Sequence, residues 1–235
     1  MRRKNRQRTG VFITFEGIEG SGKSTQCAKL AKALRDQGTP VVETREPGGT
    51  PLAEKIRDLL LAPAQTPGNE PVSALCEAYL ILAARSQHMA QVILPALADG
   101  VVVLCDRFSD STLAYQGYAR GLDRRRLQQF SLVASQGLMP DLTLLFDLPV
   151  ERGLARRRGQ SSDGLQGSEQ NRIDRESSAF HNRVRKGFLD LARRNPRRIK
   201  VLDGSRDPDR LANEVLALVT KLLNKRPQKN VKRIS

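Results

Sequence analysis

The sequence has no tryptophan, only two histidines and three cysteines, and no long hydrophobic run. Because no apolar stretch reaches about 18 residues, a membrane-spanning helix is not expected. The first nine residues are basic and lack the apolar stretch of a secretory signal. Cys27, Cys76 and Cys105 match neither a metal-binding spacing nor an even disulfide framework. This cysteine usage favours a reducing compartment, and we expect a cytoplasmic protein.

The chain is long enough for one domain of ordinary size. Its 235 residues are 39% hydrophobic, which suffices for a single core and argues against a disordered or fibrous protein. We predict one domain over residues 10–224, because its strand pattern is not interrupted by a linker. The basic ends, residues 1–9 and 225–235, are predicted to be disordered tails.

The net charge of +15 is unevenly distributed. Residues 1–9 carry five basic and no acidic groups, residues 221–235 carry six and none, and residues 151–200 have a net charge of +8. The remaining residues therefore have a net charge of −4. A nucleic-acid-binding protein more often carries a basic stripe on its folded face. Contact between the tails and nucleic acid is therefore an alternative, but we do not expect it to be the main function.

Five apolar runs have the character of buried parallel strands: 11–15, 40–44, 101–105, 142–146 and 199–202. Helical spacing of apolar residues separates them, for example over residues 27–34. This alternation predicts an α/β domain, a parallel sheet flanked by helices on both sides. Two stretches break the pattern. Residues 159–171, rich in Gly, Ser and Gln, predict a mobile loop, and residues 63–71 predict a shorter surface connection.

A phosphate-binding motif, G-x-x-x-x-G-K-S, follows the first strand and opens a helix. The residues expected to bind ATP are Gly17, Ile18, Glu19, Gly20, Ser21, Gly22, Lys23, Ser24 and Thr25. Glycines let backbone N–H groups point inward, and the helix N-terminus adds positive potential for triphosphate oxygens. Lys23 can reach the β- and γ-phosphates, and the Ser24 hydroxyl can ligate Mg²⁺.

A carboxylate near the metal is expected at the end of a strand. Asp106 and Asp147 both fit, because ligands collect at the carboxyl ends of parallel strands. We favour Asp106, since Arg107 follows it and supplies a guanidinium for phosphate. The N-K-x-D signature of guanine-binding proteins is absent. The phosphate-binding motif alone is also consistent with a mechanical ATPase. Residues that would bind an acceptor of the phosphoryl group therefore have to distinguish the two functions.

Four polar clusters accompany the loop: Thr44 to Thr50 (TREPGGT), Ala83 to Gln87 (AARSQ), Asp106 to Gly117 (DRFSDSTLAYQG) and Asn171 to Glu176 (NRIDRE). With the phosphate loop, they resemble the thymidylate kinase family over about residues 11–222. The REPGGT stretch and the pattern D-R-x-x-x-S-T-x-A-Y-Q-G carry the resemblance. It implies a five-stranded parallel sheet of the phosphate-loop, nucleoside monophosphate kinase type, with a mobile lid over the triphosphate.

The resemblance also implies where dTMP binds. Arg45 and Arg107 would hold its phosphate, and Arg85 would contact the nucleotide from a neighbouring helix. Glu19 would meet the 3′-hydroxyl of the deoxyribose, and Pro47 would lie beside the nucleotide. Guanidinium groups suit phosphate oxygens. The alternative for Arg45 is a surface ion pair with Glu46.

On the base side, the family pattern places Ser111 and Thr112 at the thymine edge. Tyr115 and Gln116 would pack near the sugar and base, although a core position for Tyr115 is an alternative. Ile81, four residues before Arg85, would cover the base, where the family usually has a stacking Phe.

The lid is expected over about residues 152–175. The phosphate loop contains no arginine, so the resemblance implies that the lid supplies the cation at the transferred phosphoryl group. The candidate catalytic residues are Lys23, Arg107, Arg156, Arg158 and Arg172. Arg152 and Arg156, spaced i, i+4, are alternatively a solvated helix face. His88 and His181 are interpreted as helix or surface residues.

The sequence therefore predicts phosphorylation of dTMP to dTDP with ATP and Mg²⁺, by in-line transfer without a general base. A related kinase acting on a deoxynucleoside or on another monophosphate is the alternative. The family is typically dimeric, and the helical stretches 72–98 and 123–135 are candidate interface faces.

Overall fold

The computed structural model describes residues 9–62, 70–162 and 171–225. Most of the two predicted tails, and parts of both predicted loops, lie outside the described residues. In the described part of the chain, no helix is both long and apolar enough to cross a membrane.

Five parallel strands form one sheet in the order β2-β3-β1-β4-β5. The strands are β1 (Phe12–Glu16), β2 (Val41–Arg45), β3 (Val102–Asp106), β4 (Leu142–Asp147) and β5 (Ile199–Asp203). Each strand begins within one residue of the predicted apolar run. The apolar pattern is clearest in the central strands, because they are covered by helices on both faces. The predicted fold class is confirmed.

The helices are α1 (Lys23–Asp36), α2 (Pro51–Leu61), α3 (Ala74–His88), α4 (Leu94–Ala98), α5 (Ser109–Thr112), α6 (Arg124–Ala134), α7 (Val150–Ser162), α8 (Ser178–Arg194) and α9 (Pro208–Asn224). A wider, π-type turn at Met89–Ile93 joins α3 to α4, and another at Leu113–Ala119 continues α5. Asp207 caps α9 by accepting from Asp209 N and Arg210 N. The prediction of a loop from residue 159 was wrong at its start, since α7 continues to Ser162.

Helices cover both faces of the sheet. On one face, α1 and α9 pack against β1 and β4, with Leu30, Leu34 and Val215 in the core. On the other, Phe180 and Phe188 of α8 pack against the wide turn that contains Tyr115. The central strand β1 pairs with β3 and β4. Its carboxyl end is therefore a switch point, where an open α/β sheet leaves a crevice for ligands.

Candidate active site

A cavity of about 610 Å³ opens at this switch point. Its lining includes the phosphate loop from Glu19 onward, the end of β3, and parts of α2, α3 and the segment after α7. Among the residues predicted to bind ATP, Gly17 and Ile18 are not in the lining. Ile18 is buried beneath the loop, and the Gly17 carbonyl accepts from Arg107 Nη1 at 3.0 Å.

The phosphate loop depends on glycine at Gly20, whose φ is 70°. A Cβ there would lie 2.1 Å from the carbonyl oxygen of Gly153 in α7. A side chain at this position would therefore push the phosphate loop away from α7. Gly22, at φ 94°, precedes α1 and turns the N-terminus of that helix toward the cavity.

Lys23 is buried inside the loop. Its Nζ donates to the Ile18 carbonyl at 2.7 Å and lies 3.4 Å from Ser21 Oγ. Burial, together with the nearby Arg107 guanidinium, lowers the pKa of Lys23 to about 8. A bound polyphosphate would supply the negative charge that favours the ammonium form.

Ser24 and Asp106 meet at the cavity floor, where Ser24 Oγ donates to Asp106 Oδ2 at 2.5 Å. The other carboxylate oxygen, Asp106 Oδ1, is buried and has no hydrogen-bond partner among the described residues. A hydroxyl and a carboxylate with an uncommitted oxygen form a donor set that suits Mg²⁺, a hard cation that keeps several waters. Asp147, the other candidate, forms a two-point ion pair with Arg185, at 2.7 and 2.9 Å.

Arg107 and Glu19 form an ion pair in the lining of the cavity. Arg107 Nη2 donates to Glu19 Oε1 at 2.9 Å, and Tyr115 Oη donates to the same oxygen at 2.7 Å. His181 Nδ1 lies 3.3 Å from Glu19 Oε2. Burial alone would raise the pKa of the Glu19 carboxyl, but Arg107, His181 and Lys23 hold it well below its usual range. Glu19 is therefore ionised.

Arg85 is almost fully buried, and each of its three guanidinium nitrogens donates a hydrogen bond. Nε donates to Glu46 Oε2 at 2.8 Å, Nη1 to Ser131 Oγ at 3.3 Å, and Nη2 to Thr112 Oγ1 at 2.9 Å. The guanidinium also lies over the Phe108 ring, 4.8 Å from its centre. Arg85 thus reaches the cavity in one fixed orientation beside Thr112.

Arg45 pairs with Glu54 at 2.8 Å, and not with Glu46, whose carboxylate binds Arg85. The expected alternative of an Arg45–Glu46 surface pair was therefore wrong. Arg57 of α2 donates to the Pro47 carbonyl at 3.0 Å and also lines the cavity. Burial, reinforced by the charge of Arg45, lowers the pKa of Arg57.

The cavity is also lined by Ile81, Thr112, Tyr115 and Gln116, the residues expected near the base and sugar. Gln116 Nε2 donates to Glu77 Oε1 at 2.7 Å, which fixes the orientation of its amide. Ser111 and Pro47 also line the cavity. The structure therefore brings together every residue that the resemblance assigned to dTMP.

The candidate arginines of the lid separate in space. Arg156 and Arg172 line the cavity, while Arg158 is exposed and lies outside the lining. Arg156 Nη1 donates to the Gly204 carbonyl at 2.9 Å. Arg172 binds Glu77 at 2.6 Å and the Leu60 carbonyl at 3.0 Å. Residues 163–170 of the expected lid lie outside the described residues.

Sequence reasoning missed several polar residues of this site. Arg57 and Glu77 line the cavity, and Glu46 supports Arg85. Arg157, which flanks the expected lid next to Arg156, lines the cavity as well. Arg157 Nη2 donates to Asp174 at 3.1 Å. The apolar spacing within α2 gives no signal that Arg57 faces the site, because only the packing of α2 on α3 turns this side chain inward.

His88 and His181 are in helices, as expected, but neither is at the surface. Both are fully buried. His88 Nδ1 lies 3.2 Å from Glu46 Oε1, and its Nε2 lies 2.6 Å from Thr44 Oγ1. The two histidines therefore contact the acidic residues that support the acceptor side.

Comparison with known proteins agrees with this geometry. The family model described as thymidylate kinase matches residues 15–215. The chain belongs to the thymidylate kinase family.

Individual thymidylate kinases match over nearly their whole length. The thymidylate kinase of Syntrophotalea carbinolica is 49% identical over 213 residues, covering 91% of this chain and 96% of that protein. The thymidylate kinase of Geobacter sulfurreducens is 48% identical over 220 residues, covering 94% of this chain and 100% of that protein. The crystal structure of thymidylate kinase from Ehrlichia chaffeensis has a TM-score of 0.70 and 33% identity, covering 89% of this chain and 98% of that chain.

Proposed function

We propose that the cavity binds ATP at the phosphate loop and dTMP on the arginine-rich side, and that the chain thereby makes dTDP. The activity follows from the family, since a thymidylate kinase transfers phosphate from ATP to dTMP. The observation that carries the assignment of sites is the position of Lys23 and Arg107 in one cavity. Donor and acceptor phosphates would meet between them.

On the donor side, the backbone N–H groups of the loop and the N-terminus of α1 bind the β- and γ-phosphates. Lys23, here bonded to the Ile18 carbonyl, turns its ammonium to phosphate oxygens. In this change the ammonium exchanges a carbonyl oxygen for a phosphate oxygen as its partner. Its function is to neutralise charge on the transferred group.

Ser24 and Asp106 would hold Mg²⁺, for which their oxygens are suited. When bound, the ion neutralises charge on the β- and γ-phosphate oxygens. The hydrogen bond between Ser24 and Asp106 keeps the two oxygens together, so the chain presents a prepared pair.

On the acceptor side, Arg45, Arg57 and Arg107 supply positive charge for the phosphate of dTMP. Arg107 is held at several points, because Gly17, Glu19 and Ser111 all bind its guanidinium. The acceptor phosphate is already a nucleophile, so the site needs orientation and charge neutralisation, not a general base.

The base side selects the nucleotide. Arg85, Thr112 and Gln116 offer hydrogen-bonding groups at its edge, and Ile81 covers the base with an aliphatic surface. Glu19 accepts hydrogen bonds from Arg107 and Tyr115, and the same carboxylate is available to the 3′-hydroxyl.

Purified protein tests this function directly. With Mg²⁺ and ATP, we expect dTMP-dependent formation of ADP in a coupled assay. A panel of dTMP, dUMP, dCMP and thymidine decides the acceptor class. If thymidine is a better acceptor than dTMP, the assignment of Arg45 and Arg107 to the phosphate is wrong. Absence of any dTMP-dependent ADP rejects the function.

We also propose a homodimer formed through α3 and α6. Leu75, Tyr79, Phe130 and Val133 are exposed on these two helices, and the Tyr79 and Phe130 rings lie 6.2 Å apart. A patch of this kind on packed neighbouring helices favours burial against a second copy of the chain. The opposite face of α3 carries Glu77 and Arg85, so dimerisation would support the acceptor side.

The cytoplasm is the proposed location. All three cysteines of the chain are free thiols in the structure, which agrees with a reducing compartment.

A further inference from the structure

Arg107 has an unusual backbone conformation. Its φ is 72°, in the left-handed region that residues with a side chain seldom occupy. Such a conformation persists only where the surrounding structure holds it, and it is concentrated at functional sites. We propose that Glu16 is the positioning residue that holds Arg107, together with Ser111, in the geometry that binds the acceptor phosphate. This inference rests on the proposed function, in which Arg107 binds that phosphate.

Glu16 binds the chain directly after Arg107. Its Oε1 accepts from Phe108 N at 2.8 Å and from Ser111 N at 3.3 Å. On the other side, Arg107 N donates to the Phe15 carbonyl at 2.9 Å. Two consecutive residues of β1 therefore fix the backbone on both sides of the strained residue.

The second oxygen of Glu16 acts on the side chain of Arg107. Glu16 Oε2 lies 2.6 Å from Ser111 Oγ, which in turn lies 3.2 Å from Arg107 Nη1. The hydroxyl thus connects the carboxyl to the guanidinium. One buried carboxyl therefore supports both the backbone after Arg107 and, through Ser111, the guanidinium, which Gly17 and Glu19 also bind.

The position of Glu16 argues against a role in stability alone. It is fully buried, and it forms no ion pair among the described residues. Arg198, which immediately precedes β5, is instead paired with Asp110 at 2.6 and 2.9 Å. Burial of a polar carboxyl costs desolvation free energy that its hydrogen bonds must offset, whereas an apolar residue would pack at no such cost. Among the described residues, every hydrogen bond of the Glu16 side chain goes to the segment that carries Arg107.

Binding of dTMP and thymidine to four proteins tests the proposal. These are the wild type, Glu16→Ala, Glu16→Gln and, as a control, Asp141→Ala. Asp141 Oδ2 accepts from Phe12 N at the opposite end of β1, so this variant also removes a polar support of the strand. Calorimetry gives the dissociation constants for dTMP, thymidine and ATP, and steady-state assays give KM and kcat.

Glu16→Ala is expected to weaken dTMP binding by about tenfold, because the segment loses its buried acceptor. Thymidine, which lacks the phosphate, and ATP should be affected much less. Glu16→Gln should retain dTMP binding, since its amide oxygen can accept from both N–H groups and its NH₂ can donate to Ser111. Asp141→Ala should keep the wild-type ratio of dTMP to thymidine affinity.

Two results would overturn the proposal. One is wild-type dTMP binding in Glu16→Ala. The other is an equal loss for dTMP, thymidine and ATP, which indicates a structural role only. If Glu16→Ala does not fold, Glu16→Asp takes its place, because its carboxyl is one methylene short of Phe108 and Ser111. Selective loss of dTMP binding in Glu16→Asp supports the proposal, and wild-type binding rejects it.

Arg107→Ala separates this inference from the proposed function. Wild-type dTMP binding in Arg107→Ala would reject the phosphate-binding role itself. If Arg107→Ala weakens dTMP binding and Glu16→Ala does not, only the role of Glu16 is wrong. In the double variant, Glu16→Ala should add little to the loss caused by Arg107→Ala, because both act through one interaction. Full additivity would contradict the proposal.

Discussion

Arg172 Nη2 donates a hydrogen bond of 2.6 Å to Glu77 Oε2 and so connects the segment after α7 to α3. Burial alone would raise the pKa of the Glu77 carboxyl, but Gln116, Arg120 and Arg172 lower it. Glu77 is therefore an ionised carboxylate shared by the base side of the cavity and the segment after α7.

Glu77→Ala should raise the KM for dTMP and lower kcat, because Gln116 and Arg172 both lose a buried acceptor. The expected loss in kcat/KM is at least about tenfold. Steady-state kinetics measures the effect. The matched control is Glu176→Ala, which removes the more exposed partner of Arg120. Equal kinetics for the two variants would contradict a special role for Glu77.

Lys23→Ala and Arg107→Ala should both greatly reduce turnover, but by different routes. Loss of Lys23 should act mainly on kcat, because its charge is needed most on the transferred phosphoryl group. Loss of Arg107 should also raise the KM for dTMP. Each loss is expected to reach about a hundredfold in kcat/KM, and near-normal kcat/KM in either variant would reject its assigned role.

The lid arginines should differ in their effects on kcat. Arg156→Ala and Arg172→Ala should lower kcat more than Arg158→Ala, because the first two side chains line the cavity and Arg158 does not. Single-turnover measurements at saturating ATP and dTMP separate phosphoryl transfer from product release. A larger loss for Arg158→Ala would contradict the assignment made from the cavity lining.

Stability should fall with rising pH because of Glu16. Burial and the nearby Asp110 raise the pKa of Glu16 from 4.5 to about 8. The folded state therefore binds the proton more tightly, and this contribution to stability is lost as the pH rises from about 4.5 to about 8. The Glu16 carboxyl interacts electrostatically with four charged groups, those of Arg107, Asp110, Lys23 and Arg198.

Urea unfolding between about pH 5 and pH 9, run on the wild type and on Glu16→Gln, measures this dependence. The variant cannot ionise at this position, so its stability should fall less across the range. Identical pH dependence in the two proteins would show that Glu16 does not titrate there.

The proposed dimer predicts that Val133→Glu produces a monomer. Val133 is 79% exposed, so a charge there costs the folded monomer little but would be buried in the dimer. Light scattering after size-exclusion chromatography gives the mass. Val201→Glu, at an exposed apolar position on β5, is the control and should not change it. A monomeric wild type would reject the interface.

The strands and the phosphate loop could be predicted because their signals are local. The central strands β1, β3 and β4 are buried on both faces and nearly continuously apolar, which made them predictable. The edge strands β2 and β5 are partly exposed and were predicted from shorter apolar runs. The start of α9 has a similarly local cause, since the capping carboxylate of Asp207 and the proline at Pro208 act within one turn. The loop predicted from residue 159 failed because its first residues continue α7, and no proline stops that helix.

The sequence alone determined the fold class, the phosphate loop and, through the family motifs, many of the residues that line the cavity. Only the tertiary structure decided which groups these residues contact. Arg85 pairs with Glu46, and Arg45 pairs with Glu54. The burial of both histidines also became evident only in the structure. The strained backbone of Arg107 and its support by Glu16 also needed the structure. The reason is distance along the chain. Glu16 lies 92 residues before Phe108, and no local pattern specifies which side chains the sheet brings together.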